Sequence, residues 1–401
     1  MLCQLRFKNF CSYRDETIFD MQAAGIGEFH DSLIPPPEGK FTPLLPVSVV
    51  FGPNGGGKSN AINALANLIA RVLLPVKAGA DYQDSYGVYR GKYSPFLLDE
   101  GSKDVPTEFE LFFRTPSAQY QYLLSVRGGE VVEESLSCLK TPCKLRRPVF
   151  LFAREGGAIR LGAPLKRARV ENVDPAQPYL SYLAVHHSYA VIRDVIDWFK
   201  GCCVIDVGVS NRDHQLGAVL GDPEAKARLL GLLAELEIPI SDCRVDEDGG
   251  IATTHTVNGR TYHLGLSDES EGTVKLLSVL PGVILTLAHG GVLLVDELDA
   301  KLHPQLLKRL VKLYTQPERN PERAQLIFTC HDVSIMKNDL LRRDEIWFAA
   351  QNEENVSELW SLYDIQDKRG KRIKNTVAYD RQYLDGRYGA DPYLKRVLER
   401  I

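Results

Sequence analysis

The sequence has no apolar run approaching the ~18 residues of a membrane-spanning helix, so no integral membrane protein is expected. Its first residues, Met1-Leu2-Cys3-Gln4-Leu5-Arg6-Phe7, lack a signal-peptide pattern and read as a strand, which points to a cytoplasmic protein. The eight cysteines include no C-x-x-C pair. Cys138 and Cys143 flank a Pro-containing loop and Cys202 and Cys203 are adjacent, so buried, reduced thiols are expected in place of a zinc site or disulfide framework. Basic charge is not in excess: 48 Lys and Arg against 52 Asp and Glu give a net charge of −4. That excludes a globally basic nucleic-acid binder and leaves only local patches. Internal repeats, low-complexity tracts and long heptad runs are lacking, which argues against an extended coiled-coil arm.

What is present is organised around Gly52-Pro53-Asn54-Gly55-Gly56-Gly57-Lys58-Ser59, a full G-x-x-x-x-G-K-[ST] match. Pro46 to Phe51 reads as a short buried strand running into the glycines. After Ser59, Ile62, Leu65, Ile69 and Val72 repeat at helical spacing until Pro75, where the helix is expected to stop. Strand, glycine loop and helix N-terminus make a phosphate site, because glycines let backbone N–H groups curl around an anion and the helix dipole adds positive potential. Lys58 is expected to reach the β- and γ-phosphates and the Ser59 hydroxyl to ligate Mg²⁺. The candidate nucleotide-binding residues are Gly52, Pro53, Asn54, Gly55, Gly56, Gly57, Lys58, Ser59 and Asn60, with ATP and Mg²⁺ as ligands.

With 44% of 401 residues hydrophobic, the chain can bury a large core. Leu2–Lys8 and Glu16–Met21 read as an N-terminal hairpin, and 23–45, with Pro35-Pro36-Pro37, as an irregular excursion. A loop rich in Tyr, Gly and Asp spans about 78–106. Three strand patterns (107–113, 120–126, 131–136) suggest an antiparallel meander, followed by a hairpin around Gly156-Gly157. Residues 170–238 read as a compact helical insertion, with a helix starting at Asp222-Pro223. Strands return at 240–245 and in a hairpin 251–266 turned by Asn258-Gly259. The expected division is an N-terminal lobe 1–165, a helical insertion 166–239 and a C-terminal lobe 240–401.

A second constellation lies in the C-terminal lobe. Gly291 to Val295 is an apolar strand ending in Asp296-Glu297, as expected of a strand covered on both faces of a parallel sheet. Asp296 is the second candidate Mg²⁺ ligand. Glu297 is the candidate catalytic base that polarises the attacking water. Ser270 and Gly272 precede a helix carrying Val274, Leu276, Leu277, Val279 and Leu280, which makes a second anion site of the same physical kind. Leu326 to Cys330 is another buried strand, and the His331 that follows it is a candidate catalytic contact to the γ-phosphate.

The order of these parts (phosphate loop, S-x-G-x element, strand ending Asp-Glu, strand ending His) resembles an ABC-type ATPase. It is more similar to soluble SMC-type and OLD-type ATPases than to transporter subunits, whose L-S-G-G-Q signature is absent. The likeness is greatest to the AAA/ABC-type ATPases of bacterial abortive-infection and phage-defence systems, such as those of Septu, PARIS and retron-type systems. It is carried by Lys8-Asn9-Phe10, Pro95 to Glu100 with Pro106 to Glu110, Asp296-Glu297-Leu298-Asp299 with Leu302-His303-Pro304, Leu340 to Phe348, and Tyr383 to Ala390.

This resemblance implies an α/β P-loop NTPase of the ABC/SMC-head type, with a mixed sheet, an N-terminal antiparallel β-subdomain and a short helical insertion. It also implies a head-to-head homodimer or larger homo-oligomer, in which Ser270 and Gly272 of one subunit close over nucleotide held by Lys58, Ser59 and Asp296 of another. Glu271 departs from the pattern by setting an acid between Ser270 and Gly272, so it must point away from phosphate or the site must be slow.

About 70 residues follow His331, too few for an added Toprim nuclease domain, so the expected partner is a separate effector, a nuclease or toxin. Two basic runs, Lys144, Arg146, Arg147 with Lys166, Arg167, Arg169, and Lys368 to Lys374, are candidates for a nucleic-acid or effector surface. Arg342 and Arg343 are alternatively read as pairing with Asp344 or Glu345, and His186-His187 as structural. The competing reading is an SMC-like clamp for DNA repair or chromosome maintenance, against which the short helical segment argues.

Overall fold

The computed structural model describes residues 1–37, 41–78, 94–141, 147–168, 173–205, 212–246, 248–367 and 369–390. Cys143, Lys144, Arg146, Arg169, Lys368 and much of the Tyr-rich loop lie outside them.

The chain opens with β1 (Leu2–Lys8) and β2 (Thr17–Asp20), then β3 (Val47–Phe51), which feeds α1 (Lys58–Ala78). Strands β4 (Thr107–Arg114), β5 (Ala118–Arg127), β6 (Glu130–Lys140), β7 (Val149–Glu155) and β8 (Ala158–Leu161) follow, as their period-2 patterns predict. With the first hairpin they form a seven-stranded antiparallel sheet ordered β2-β1-β4-β5-β6-β7-β8. Next come α2 (Tyr179–His186), α3 (Ala190–Lys200), β9 (Cys202–Ile205), α4 (Arg212–Gly221) and α5 (Pro223–Glu235). A three-stranded sheet of β10 (Asp242–Val245), β11 (Ile251–Val257) and β12 (Arg260–Gly265) precedes α6 (Glu271–His289). The chain then forms β13 (Val292–Val295), α7 (Pro304–Thr315), β14 (Gln325–Thr329), β15 (Ile346–Gln351), β16 (Ser357–Ser361) and α8 (Tyr379–Leu384).

The central sheet runs β16-β15-β3-β14-β13-β9. Every neighbouring pair is parallel except β15 and β16, which pair antiparallel. Strand β14 therefore sits between β3 and β13, and the carboxyl ends of all three open on one edge. That edge is where parallel α/β sheets bind ligands.

Three expectations need correction. The α1 helix passes through Pro75 and ends at Ala78. Proline cannot donate to the carbonyl one turn back, but α1 is buried along Leu65, Leu68, Val72 and Leu73, and the Ser181 hydroxyl donates to the Val72 carbonyl at 2.7 Å. Tertiary packing holds the last turn together. Second, the stretch 170–238 is not wholly helical, because Cys202–Ile205 forms β9 and joins the central sheet beside β13. Its helices also belong to two cores: α2 and α3 pack into the cluster shared with α1 and the antiparallel sheet, whereas α4 and α5 pack with α6 and α7. Third, α1 and α6 are by length and composition apolar enough to cross a membrane, but more than half of each is buried inside the protein. Most of their apolar residues are core, Leu74 of α1 being exposed.

Several motifs outside the phosphate loop are structural clamps, among them Arg342, which pairs with Asp344 as its alternative reading expected. Asn9 adopts φ 52° and uses both ends of its amide. Its Nδ2 donates to the carbonyls of Ser102 and Val105, each at 2.8 Å, and its Oδ1 accepts from the Phe96 N–H at 2.9 Å, so it fixes the segment ahead of β4. Fully buried Arg342 makes a two-pronged pair with Asp344 (2.9 and 2.7 Å), and Arg343 pairs with Glu28 at 2.6 Å. Asp344 in turn accepts the Ala24 N–H at 2.7 Å. These contacts pin the irregular excursion after β2 to the start of β15. Tyr383 stacks on Phe348 and Tyr388 packs against it at a tilt, closing the C-terminal motif over β15. His186 and His187 pack against Tyr182. The seven described cysteines are free and six of them are buried; burial raises the thiols, that of Cys203 to about 12.

Candidate active site

At the end of β3 the chain turns through four glycines, three of which leave no room for a Cβ. Gly52 has φ 150°, and a Cβ there would lie 2.0 Å from the Ala349 carbonyl oxygen of β15. The same oxygen would be 2.5 Å from a Cβ on Gly56, and at Gly57 (φ 105°) a Cβ would meet Ser357 Oγ at 2.5 Å. The loop is thus pressed against β15 and β16, and side chains are excluded by backbone approach. Lys58, the first residue of α1, is only 6% exposed. Its ammonium donates to the carbonyls of Gly52 (2.9 Å) and Pro53 (3.0 Å), lying back over its own loop. Burial lowers its pKa, opposed by the carboxylates of Asp296, Glu297 and Asp299. Asn60 donates to Ser12 Oγ at 2.9 Å, tying the helix start to the first hairpin.

The carboxylates arrive from β13. Asp296 Oδ1 accepts from Ser59 Oγ at 3.1 Å and from Thr329 Oγ1 at 2.6 Å. The two candidate metal ligands are therefore adjacent hard oxygens, a donor set that fits Mg²⁺. Glu297 takes a left-handed backbone, φ 48°, uncommon for a residue with a side chain. Its N–H donates to Thr329 Oγ1 at 2.7 Å, and its carbonyl accepts from Lys275 Nζ at 2.9 Å. His331 Nε2 lies 3.9 Å from Glu297 Oε1 with both side chains partly exposed. The turn carrying His331 is set by Asp299 Oδ2, which accepts the N–H groups of His331 and Asp332, each at 2.9 Å. Asn54 to Asn60, Glu297 and His331 line one cavity of about 270 Å³.

Ser270 and Gly272 do not line that cavity; they sit at the N-terminus of α6. Ser270 caps the helix, accepting the Thr273 N–H at 3.2 Å. Gly272 is explained by close approach, since a Cβ would fall 2.9 Å from the Lys301 carbonyl oxygen. The Lys301 ammonium pairs with Glu271 at 2.8 Å, so the acid that interrupts the S-x-G-x element has a cationic partner in the turn after β13.

The profile of a family described as "AAA domain, putative AbiEii toxin, Type IV TA system" matches residues 47–161 and 204–337, more than half of the chain. The chain belongs to this family. No protein of curated function matches it. Among solved structures, it is similar to the SMC head domain from Thermotoga maritima, at 14% identity and TM-score 0.39 over 91% of this chain and 99% of that one. It is also similar to an SmcHead bound to the C-winged helix domain of ScpA, at 13% identity and TM-score 0.46 over 93% and 99%. A third is an Smc head domain with an extended coiled coil bound to the C-terminal domain of ScpA derived from Pyrococcus furiosus, at 13% identity and TM-score 0.41 over 90% and 96%.

The fold of this AAA domain is an α/β fold with mixed sheets, in which the phosphate loop joins β3 to α1. Its structure gathers Gly52 to Asn60, Asp296, Glu297 and His331 into one site and leaves Ser270 and Gly272 outside it. Sequence reasoning missed Thr329 and Lys275. Thr329 lies in a strand read only as apolar, and the signal available was a hydroxyl two residues before His331 in a strand next to β13. Lys275 was hidden among the apolar residues of α6, where a buried lysine signals a specific partner.

Proposed function

We propose that this AAA domain binds and hydrolyses ATP in a Mg²⁺-dependent way and, as a homodimer or larger homo-oligomer, regulates a separate effector, a nuclease or toxin, in bacterial anti-phage defence. The observation that carries the ATPase reading is the Ser59–Asp296–Thr329–Glu297 chain of hydrogen bonds, which links the phosphate loop to the candidate base through 3.1, 2.6 and 2.7 Å contacts. Lys58 exchanges its loop carbonyls for β- and γ-phosphate oxygens. Ser59 and Asp296 hold Mg²⁺, which neutralises phosphate charge. Glu297 takes the proton of the attacking water, and His331 donates to the γ-phosphate from across the cavity. The outlying Ser270 and Gly272 meet the nucleotide of another subunit, so ATP joins the subunits and hydrolysis releases them.

Two observations favour an effector-regulating unit over a DNA-bridging clamp: the family's description, and, among the described residues, helices of 8, 11, 10 and 13 residues between β8 and β10. The test is native mass determination of Glu297→Gln protein expressed with its neighbouring genes and given Mg-ATP. Retained ATP on a dimer or larger assembly with a stoichiometric second polypeptide is expected, whereas Lys58→Ala loses nucleotide. A monomer carrying ATP would overturn the composite site, and a bare dimer holding DNA would favour the clamp.

A further inference from the structure

Lys275 lies in the second turn of α6 and is 5% exposed, yet its ammonium reaches out of the helix to donate to the Glu297 carbonyl at 2.9 Å. The peptide it meets belongs to the residue with the left-handed backbone at the end of β13. Such a conformation is costly for a residue with a side chain and persists only where the surroundings over-determine it. Here three contacts do so, one of them the Ala300 N–H of the same turn, which donates to the Glu297 carbonyl at 3.1 Å. Thr329 Oγ1 accepts the Glu297 N–H and Lys275 Nζ holds its carbonyl, so both peptide groups of Glu297 are anchored from different elements.

The helix that supplies Lys275 begins at Ser270 and Gly272. Its N-terminal turn also packs on the segment after β13, with Gly272 close to the Lys301 carbonyl and Glu271 paired to Lys301. Any shift of the α6 N-terminus is therefore delivered to the backbone of Glu297 through a partly buried, charge-assisted bond.

We infer that Lys275 is a positioning residue that couples the two halves of the composite site: it aims the Glu297 carboxylate according to the placement of the α6 helix that carries Ser270 and Gly272. This rests on the ATPase reading above. Closure of a second subunit's nucleotide onto the α6 N-terminus sets Lys275, and Lys275 sets the turn that directs the base at the water of its own subunit's ATP.

The experiment compares Lys275→Met, which keeps the stem and removes the ammonium, with Lys275→Arg, which keeps a cationic donor. In Lys275→Met, kcat for ATP hydrolysis is expected to fall about 10- to 100-fold, as for a displaced catalytic group, with ATP affinity unchanged, and Lys275→Arg recovers most of it. Independently of turnover, hydrogen exchange in Leu294 to Leu298 speeds up in Lys275→Met while exchange in the antiparallel sheet does not. Wild-type kcat and exchange in Lys275→Met would overturn the inference. Accelerated exchange throughout the protein would also overturn it, marking the lysine as merely structural. If wild-type protein fails to hydrolyse ATP, or Glu297→Gln hydrolyses it normally, the ATPase reading fails instead.

Discussion

Thr329 Oγ1 stands between the two carboxylate residues that follow β13, donating to Asp296 at 2.6 Å and accepting the Glu297 N–H at 2.7 Å. One hydroxyl thereby sets both the candidate metal ligand and the backbone of the candidate base. Replacing it with Val keeps the shape and deletes both bonds. Loss of such an orienting partner typically costs about 10- to 100-fold in activity or metal affinity. We expect Thr329→Val to lower ATP turnover by that factor, measured as phosphate release, while Thr329→Ser remains close to wild type.

The glycine loop offers a contrast between two neighbours. Gly55 has φ 76°, and a Cβ there would meet nothing within 4 Å, so Gly55→Ala incurs only the left-handed backbone penalty of about 1–2 kcal/mol. Gly56 lacks that backbone, but its Cβ would be 2.5 Å from the Ala349 carbonyl oxygen and 3.0 Å from that of Pro53. Backbone oxygens cannot swing aside, so the loop must lift from β15. Thermal unfolding is expected to show the larger fall in Tm for Gly56→Ala.

Arg342 and Asp344 form a buried pair whose members also hold the carbonyl and N–H of Ala24. Removing one partner strands the other charge, at a typical cost of about 3–5 kcal/mol. Arg342→Ala should therefore shift the denaturation midpoint strongly, and proteolysis should then begin in the excursion after β2. Arg167→Ala, at an exposed position, serves as the control with no comparable shift.

Stability should also fall as pH rises from acid to mildly alkaline. Burial raises the Glu345 carboxyl from 4.5 to about 8 and the Glu134 carboxyl from 4.5 to about 7. Between those limits the folded chain keeps protons that the unfolded chain releases. Their contribution is complete below about 4.5 and is lost through 7 for Glu134 and 8 for Glu345, at roughly 1.4 kcal/mol per pH unit for each titrating group. Chemical denaturation between pH 5 and 8 measures this slope, and Glu345→Gln is expected to flatten its upper part.

The four-residue strand β9 shows where local reading ends. Cys202-Cys203-Val204-Ile205 is apolar but too short for its period to separate strand from helix. Parallel pairing with β13 decides the matter. Pro75 erred in the opposite direction, because a local breaker was overruled by a buried helix face.

The sequence by itself determined the phosphate loop, the Asp296-Glu297 strand end, the Ser270 and Asp222 helix starts and the antiparallel meander. In each, the deciding chemistry lies within a few consecutive residues: glycines beside a helix start, a cap before its helix, or alternation along a strand. The tertiary structure alone decided that Thr329 bridges Asp296 and Glu297, that Lys275 grips the Glu297 peptide, and that Arg342 clasps the chain near Ala24 some 318 residues away. Those partners meet because β14 lies between β3 and β13, an order set by how buried parallel strands pack against one another rather than by any stretch of sequence.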